Sequence, residues 1–126
     1  MRVLFAGTPA CAVPALKTAA EISQLCGILT NPPAPAGRSK RIQDSEVAAA
    51  VKLMKAEGLL KEEIPVLTPE RLDAAFREQV LSLKPDLLVC FAYGKIFGPK
   101  TMSLFPLGGI NIHPSLLPRW RGPSPV

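Results

Sequence analysis

The 126-residue sequence predicts an α/β domain built on a doubly wound, mainly parallel sheet. Three observations predict it. Short apolar runs alternate with amphipathic segments along the whole chain, as in βαβ units with right-handed crossovers. Several runs are apolar throughout, which marks strands covered on both faces. Finally, the last run carries two polar residues, Asn111 and His113, two apart and so on one face of a strand. Polar groups at the carboxyl end of a parallel strand are where such folds do chemistry.

The elements follow in order. Residues 1–6 form a short buried strand of Val3, Leu4 and Phe5, stopped by Gly7. Thr8 is a candidate N-cap and Pro9 suits the first helical position, with a helix to about Ala20 that Pro14 bends or delays. Residues 24–30 are a second strand. Residues 31–44 form the longest irregular stretch, with Pro32, Pro33, Pro35 and Gly37, then Arg38, Lys40 and Arg41. Ser45 caps a helix to about Glu57, with Val47, Val51 and Met54 on its inner face, and Gly58 ends it. Residues 64–67 are a third strand. Thr68-Pro69-Glu70-Arg71 has the features of a helix start, with Leu72, Phe76, Val80 and Leu83 as its inner stripe and Pro85 as its end. Residues 86–91, the most hydrophobic strand, are expected at the centre of the sheet. Residues 95–105 are a short helical or turn segment, and residues 109–113 the fifth strand.

Composition narrows the function class. Hydrophobic residues make up 48% and charged residues 20%, enough for one domain with a modest core and too apolar for wholesale disorder. The net charge of +5 and pI near 9.4 favour polyanions such as nucleic acid, phosphorylated ligands or acidic membranes. No segment has the length of a bilayer span, and the N-terminal apolar stretch breaks too early for a signal peptide. Cys11, Cys26 and Cys90 have no paired spacing and read as small buried hydrophobes in a reducing cytosol; zinc would need closer pairs and a fourth ligand.

Several motifs bear on chemistry. Gly7-Thr8-Pro9 stands where nucleotide-binding folds place a phosphate loop, but it matches neither phosphate fingerprint, and Pro9 removes a donor; a plain strand-to-helix turn fits better. Arg38, Lys40 and Arg41 on a proline-stiffened loop fit either a solvated surface or contact with nucleic-acid phosphates. Asn111 and His113 fit either two satisfied buried polar groups or a site that stabilises an oxyanion and moves a proton. They are too few for a metal site. Ser115, Leu116, Leu117 and Pro118 form a stiff, mostly apolar lip suited to a flat heterocycle, or a surface turn. Arg119 and Arg121 flank Trp120 beyond it.

The run Asn111-Ile112-His113-Pro114-Ser115-Leu116-Leu117-Pro118 resembles the signature of the folate-dependent formyltransferases. Further segments strengthen the likeness: Phe5-Ala6-Gly7-Thr8-Pro9 with Ala12-Val13-Pro14, Pro35 to Arg41, Ala92-Tyr93-Gly94, and Leu116 to Gly122. The resemblance runs along the whole chain in order. The first two segments are similar to the branch of that family that formylates methionyl initiator tRNA.

The resemblance implies a Rossmann-like formyltransferase fold, incomplete at its C-terminal end, with residues 1–126 as the N-terminal part of the catalytic domain. It implies formyl transfer from 10-formyltetrahydrofolate to the amino group of methionyl initiator tRNA in translation initiation. Asn111 and His113 would be catalytic. Ser115, Leu116, Leu117 and Pro118, with Ala92, Tyr93 and Gly94, would bind the folate; Arg38, Lys40 and Arg41 would bind the tRNA. No metal, membrane or obligate protein partner is implied, and the location is cytoplasmic. Where relatives often have Gly-Arg-Gly-Lys, Ser39 replaces the second glycine and leaves the loop less supple. The family's third catalytic group, an aspartate, lies beyond the signature, and its C-terminal tRNA-binding domain is absent here, so the fragment alone is expected to be inactive. Two alternatives stay open. One is another formyltransferase, acting on an amino sugar or glycinamide ribonucleotide. The first loop argues against the latter and the basic loop against the former. The other is a non-catalytic module that binds folate or nucleic acid.

Overall fold

The computed structural model describes residues 1–38 and 40–112. Along the chain run β1 (Arg2–Gly7), α1 (Val13–Ile22), β2 (Gln24–Leu29), β3 (Ala34–Ala36), β4 (Arg41–Gln43), α2 (Glu46–Ala56), β5 (Val66–Leu67), α3 (Ala74–Leu83), β6 (Leu87–Phe91), α4 (Pro99–Met102) and β7 (Gly109–Ile112). Five strands form one parallel sheet in the order β5-β2-β1-β6-β7. The doubly wound fold class is therefore observed. The chain builds outward from β1 to β2 and β5, then returns to add β6 and β7 on the other side. The order reverses between β1 and β6, which opens a crevice at their carboxyl ends.

Strand alternation divides the core into two layers. Val3 and Phe5 of β1 face α1 and α2, packing with Leu16, Val47 and Val51. Leu4 and Ala6 face the other way, packing with Phe76 and Val80 of α3 and with Cys90 and Phe105. Burial on both faces explains why β1 is apolar without interruption. Each large side chain so buried contributes about 1.5–3 kcal/mol of transfer free energy. Among the described residues no helix is long and apolar enough to cross a membrane.

Several local expectations change. The centre of the sheet is β1, with β6 beside it, because β6 must leave room for β7 on its outer edge. Thr8 caps no helix: a 3₁₀ turn covers Ala10–Ala12, and α1 begins at Val13. Pro14 lies in the first turn of α1, where a missing N–H leaves no intrahelical bond unmade. Thr68 to Arg71 start no helix either. Asp73 is the N-cap of α3, its carboxylate accepting from the Phe76 N–H at 3.0 Å. The stretch 31–44 is partly regular, since β3 and β4 pair as an antiparallel hairpin with Pro35 opposite Ile42. Cys11 is exposed on the 3₁₀ turn, while Cys26 and Cys90 are buried. Burial pushes both buried thiols upward in pKa.

Other elements lie where the sequence places them. Ser45 caps α2, accepting from the Ala48 N–H at 3.0 Å. Helix α3 stops before Pro85, with Lys84 in the left-handed region at φ 53°. The Arg2 guanidinium donates to the Leu83 carbonyl at 2.7 Å, satisfying an orphan acceptor at that helix end.

Candidate active site

The site grows from the close approach of β1 and β6 at the crevice. Gly7 lies opposite Phe91 in register. A Cβ at Gly7 would come within 2.9 Å of both the Phe91 carbonyl oxygen and the Ala12 Cβ, so only glycine admits this spacing. Beyond β6 the backbone turns sharply, with Ala92 at φ 57° and Gly94 at φ 101°. An alanine in that region costs energy and persists only when its surroundings over-determine it.

Three side chains do so. The Tyr93 carbonyl accepts the Thr8 hydroxyl at 2.9 Å and the Asn31 amide at 3.0 Å. The Lys95 ammonium donates to the Asn31 Oδ1 at 2.6 Å and lies 5.6 Å from the Tyr93 ring centroid. The carboxyl ends of β1, β2 and β6 are thus laced together through one turn. Sequence reasoning missed Thr8, Asn31 and Lys95 in these roles. The available signal was position: each follows the carboxyl end of a parallel strand.

The Tyr93 ring is 1% exposed and stacks on Phe97 with centroids 5.5 Å apart. Its hydroxyl is buried with no hydrogen-bond partner among the described residues. Burial, with the Cys90 thiol adding to it, pushes the phenol up to about 12.

Asn111 lies on β7 opposite Cys90. Its neighbour Ile112 packs into the α1–α2 layer. Alternation therefore sends Asn111 to the opposite face. There it lines a groove of about 370 Å³ with Leu88, Cys90, Lys95, Phe97 and Met102 among others. The groove has apolar walls and few polar groups, the usual make-up of a small-molecule site. The sequence-predicted His113, Ser115, Leu116, Leu117 and Pro118 lie outside the described residues, as do Arg119, Trp120 and Arg121.

A second cavity, about 480 Å³, lies at the amino ends of the strands between Arg2, Leu25, Leu60, Pro65 and Leu83. Its one guanidinium is already committed to the end of α3. Open parallel sheets bind ligands at the carboxyl ends, so the smaller groove with Asn111 is the better candidate.

The basic residues gather at the tip of the β3–β4 hairpin. Arg38, Lys40 and Arg41 are all exposed, with Gly37 at φ 70° and Lys40 at φ 57° shaping the turn. At the hairpin base the Thr30 and Ser45 hydroxyls share a hydrogen bond of 2.6 Å. Among the described residues no group of three His, Cys, Asp or Glu side chains could hold a metal ion.

A parallel sheet with this strand order, and a groove along β6 and β7 that reaches Asn111 and Lys95, is the arrangement of the α/β domains that bind small ligands or cofactors. Comparison with known proteins makes that specific: the chain belongs to the formyl transferase family, which it matches over residues 1–126. It is 69% identical to the methionyl-tRNA formyltransferase of Treponema denticola, over all of this chain and 39% of that relative. It is 56% identical to the methionyl-tRNA formyltransferase of Treponema pallidum, over all of this chain and 40% of the relative. The protein of the same name from Borrelia duttonii is 41% identical, with all of this chain and 38% of the relative covered. The chain spans about two fifths of the length of these curated relatives.

Proposed function

We propose that residues 1–126 are the N-terminal part of a catalytic domain that transfers a formyl group from 10-formyltetrahydrofolate to the amino group of methionyl initiator tRNA. The observation that carries this reading is the position of Asn111. It stands on β7 beside an apolar-walled groove, in a chain that matches the formyl transferase family from end to end. The names of the relatives support tRNA as the acceptor. The groove suits a flat heterocycle, since Leu88, Phe97 and Met102 offer apolar contact and Asn111 offers a polar handle.

When bound, the donor supplies a formyl carbonyl; the acceptor amine adds to its carbon, and the bond to the folate nitrogen then breaks. Asn111 donates its amide N–H to the oxygen that becomes negative in the tetrahedral intermediate. His113 donates to the same oxygen when protonated, and carries the proton from the amine to the departing folate nitrogen. The main chain at Ala92, Tyr93 and Gly94, with Ser115, Leu116, Leu117 and Pro118, walls the folate. Arg38, Lys40 and Arg41 at the hairpin tip engage tRNA phosphates. A location in the cytoplasm, where translation initiates, follows from this reading.

The test is steady-state formylation of methionyl initiator tRNA by the complete protein that contains this chain. Asn111→Ala is expected to lower kcat about a hundredfold, the loss typical of one oxyanion donor, with a smaller effect on donor binding. Equal losses in kcat and donor affinity would show that Asn111 only shapes the groove. Formylation of an amino sugar in place of the tRNA would transfer the reading to another acceptor class.

A further inference from the structure

We propose that Asn31 and Lys95 are a positioning pair that ties the foot of the basic hairpin to the Ala92–Gly94 turn. One contact then sets both the formyl-donor wall and the acceptor-binding loop. The proposal rests on the reading of those two elements given above.

Asn31 follows Thr30 at the end of β2 and opens the excursion that carries the hairpin. Its amide is used in two directions. The Nδ2 donates to the Tyr93 carbonyl at 3.0 Å, and the Oδ1 accepts from the Lys95 ammonium at 2.6 Å. Only this orientation of the amide satisfies both neighbours, because an ammonium can only donate and a carbonyl can only accept. Aspartate would set a negative charge against the Tyr93 carbonyl, and an aliphatic residue would serve neither partner.

Lys95 is partly buried and lies over the Tyr93 ring, and its ammonium is spent on a side-chain amide, where the similarly buried Lys55 donates to main-chain carbonyls. That charge-assisted bond to a neutral amide makes Lys95 an anchor, where Lys52 on α2 makes an exposed ion pair with Asp44.

The geometry of the turn makes the tie matter. Ala92 and Gly94 both hold positive φ, and a Cβ on Gly94 would approach the Asn31 Nδ2 to 3.3 Å. The turn is held from outside by Thr8 and Asn31. The other end of the excursion is closed by the Thr30–Ser45 bond, so the hairpin foot cannot shift without moving Asn31. Lys95 also lines the groove that holds Asn111, which brings the tie to the edge of the reacting region.

The experiment is two-substrate kinetics on the complete protein, with 10-formyltetrahydrofolate and methionyl initiator tRNA, the unsubstituted protein measured first. Asn31→Ala and Lys95→Met are expected each to raise both KM values on the order of 5–10-fold, the loss of about one hydrogen bond, with kcat within about twofold. Lys95→Met keeps the alkyl stem over the Tyr93 ring, so it removes the bond and spares the packing. Lys95→Arg restores a donor and is expected to recover most of both affinities. As a contrast, the triple variant Arg38→Ala, Lys40→Ala, Arg41→Ala is expected to raise the tRNA KM alone. A fall in kcat with both KM values unchanged would mark a purely structural pair and overturn the proposal. So would a change in only one KM for both variants. If the unsubstituted protein formylates no methionyl tRNA, the functional reading itself fails and the proposal falls with it.

Discussion

Thr30 and Ser45 share a hydrogen bond of 2.6 Å that closes the loop 31–44 at its base. Thr30 is fully buried, and Ser45 is also the N-cap of α2. One serine therefore starts a helix and shuts the loop that displays the basic residues. Ser45→Ala removes the cap and strands a buried hydroxyl. It is expected to destabilise the complete protein by about 2–3 kcal/mol, read from the urea midpoint. Thr30→Val with Ser45→Ala is expected to cost less than the sum of the two single changes, since no buried hydroxyl remains. A single Ser45→Ala within about 0.5 kcal/mol of the parent would show that this bond adds nothing to stability.

At the crevice, Thr8 and Asn31 both donate to the Tyr93 carbonyl. Thr8→Val keeps the shape and loses one donor, so a cost of about 1 kcal/mol is expected. Combined with Asn31→Ala, the carbonyl loses both donors, and the double change is expected to exceed the sum of the singles. A double-mutant cycle in denaturant gives the coupling directly, and zero coupling contradicts the lacing of the three strand ends.

Tyr93 has a buried hydroxyl without a partner among the described residues, and a phenol pushed up from 10.0 to about 12. The raised folded-state pKa means its stability contribution is complete below pH about 10 and is lost as the pH rises toward about 12, because the unfolded chain then releases a proton that the folded one keeps. Tyr93→Phe is expected to be neutral or about 1 kcal/mol more stable at pH 7, and to flatten this alkaline decline. The difference in phenolate absorbance between parent and variant, titrated from pH 9 upward, isolates this one tyrosine. A transition centred near 10 would mean the hydroxyl is solvated.

Arg38, Lys40 and Arg41 stand exposed on the hairpin tip. Changing all three to alanine is expected to weaken tRNA binding and to flatten the plot of log affinity against log salt by about 0.7–0.9 for each phosphate that is no longer neutralised. Filter binding at several salt concentrations reads this. An unchanged slope would assign the three charges to solvent.

The fold class was legible in the chain because it depends on patterns that local sequence carries. Val3, Leu4 and Phe5 must bury both faces, and Val47, Val51 and Met54 recur at helical spacing. The cap at Ser45 was legible too, since a serine before an amphipathic run has one obvious use. Asn111 stood out as a polar residue in an apolar strand, and the structure sets it at a groove. The β3–β4 hairpin was not legible, because its strands are three residues each and mostly exposed, with no buried face to print an alternating pattern. Helix α3 began at Asp73 rather than Thr68 for a related reason. Both have cap chemistry, and the choice rests on where the Phe76 and Val80 stripe meets the sheet. Thr8, Asn31 and Lys95 carry only a positional signal, each following the carboxyl end of a strand, and nothing local says that they meet. They are separated by up to 87 positions in the chain and meet only because the strand order brings three carboxyl ends to one turn. Sequence alone determined the alternation of the five main strands with helices and the family they compose; the β3–β4 hairpin and the exact helix starts depended on the fold. Tertiary structure decided which polar groups converge, because hydrogen bonds between distant residues depend on packing that no single segment encodes.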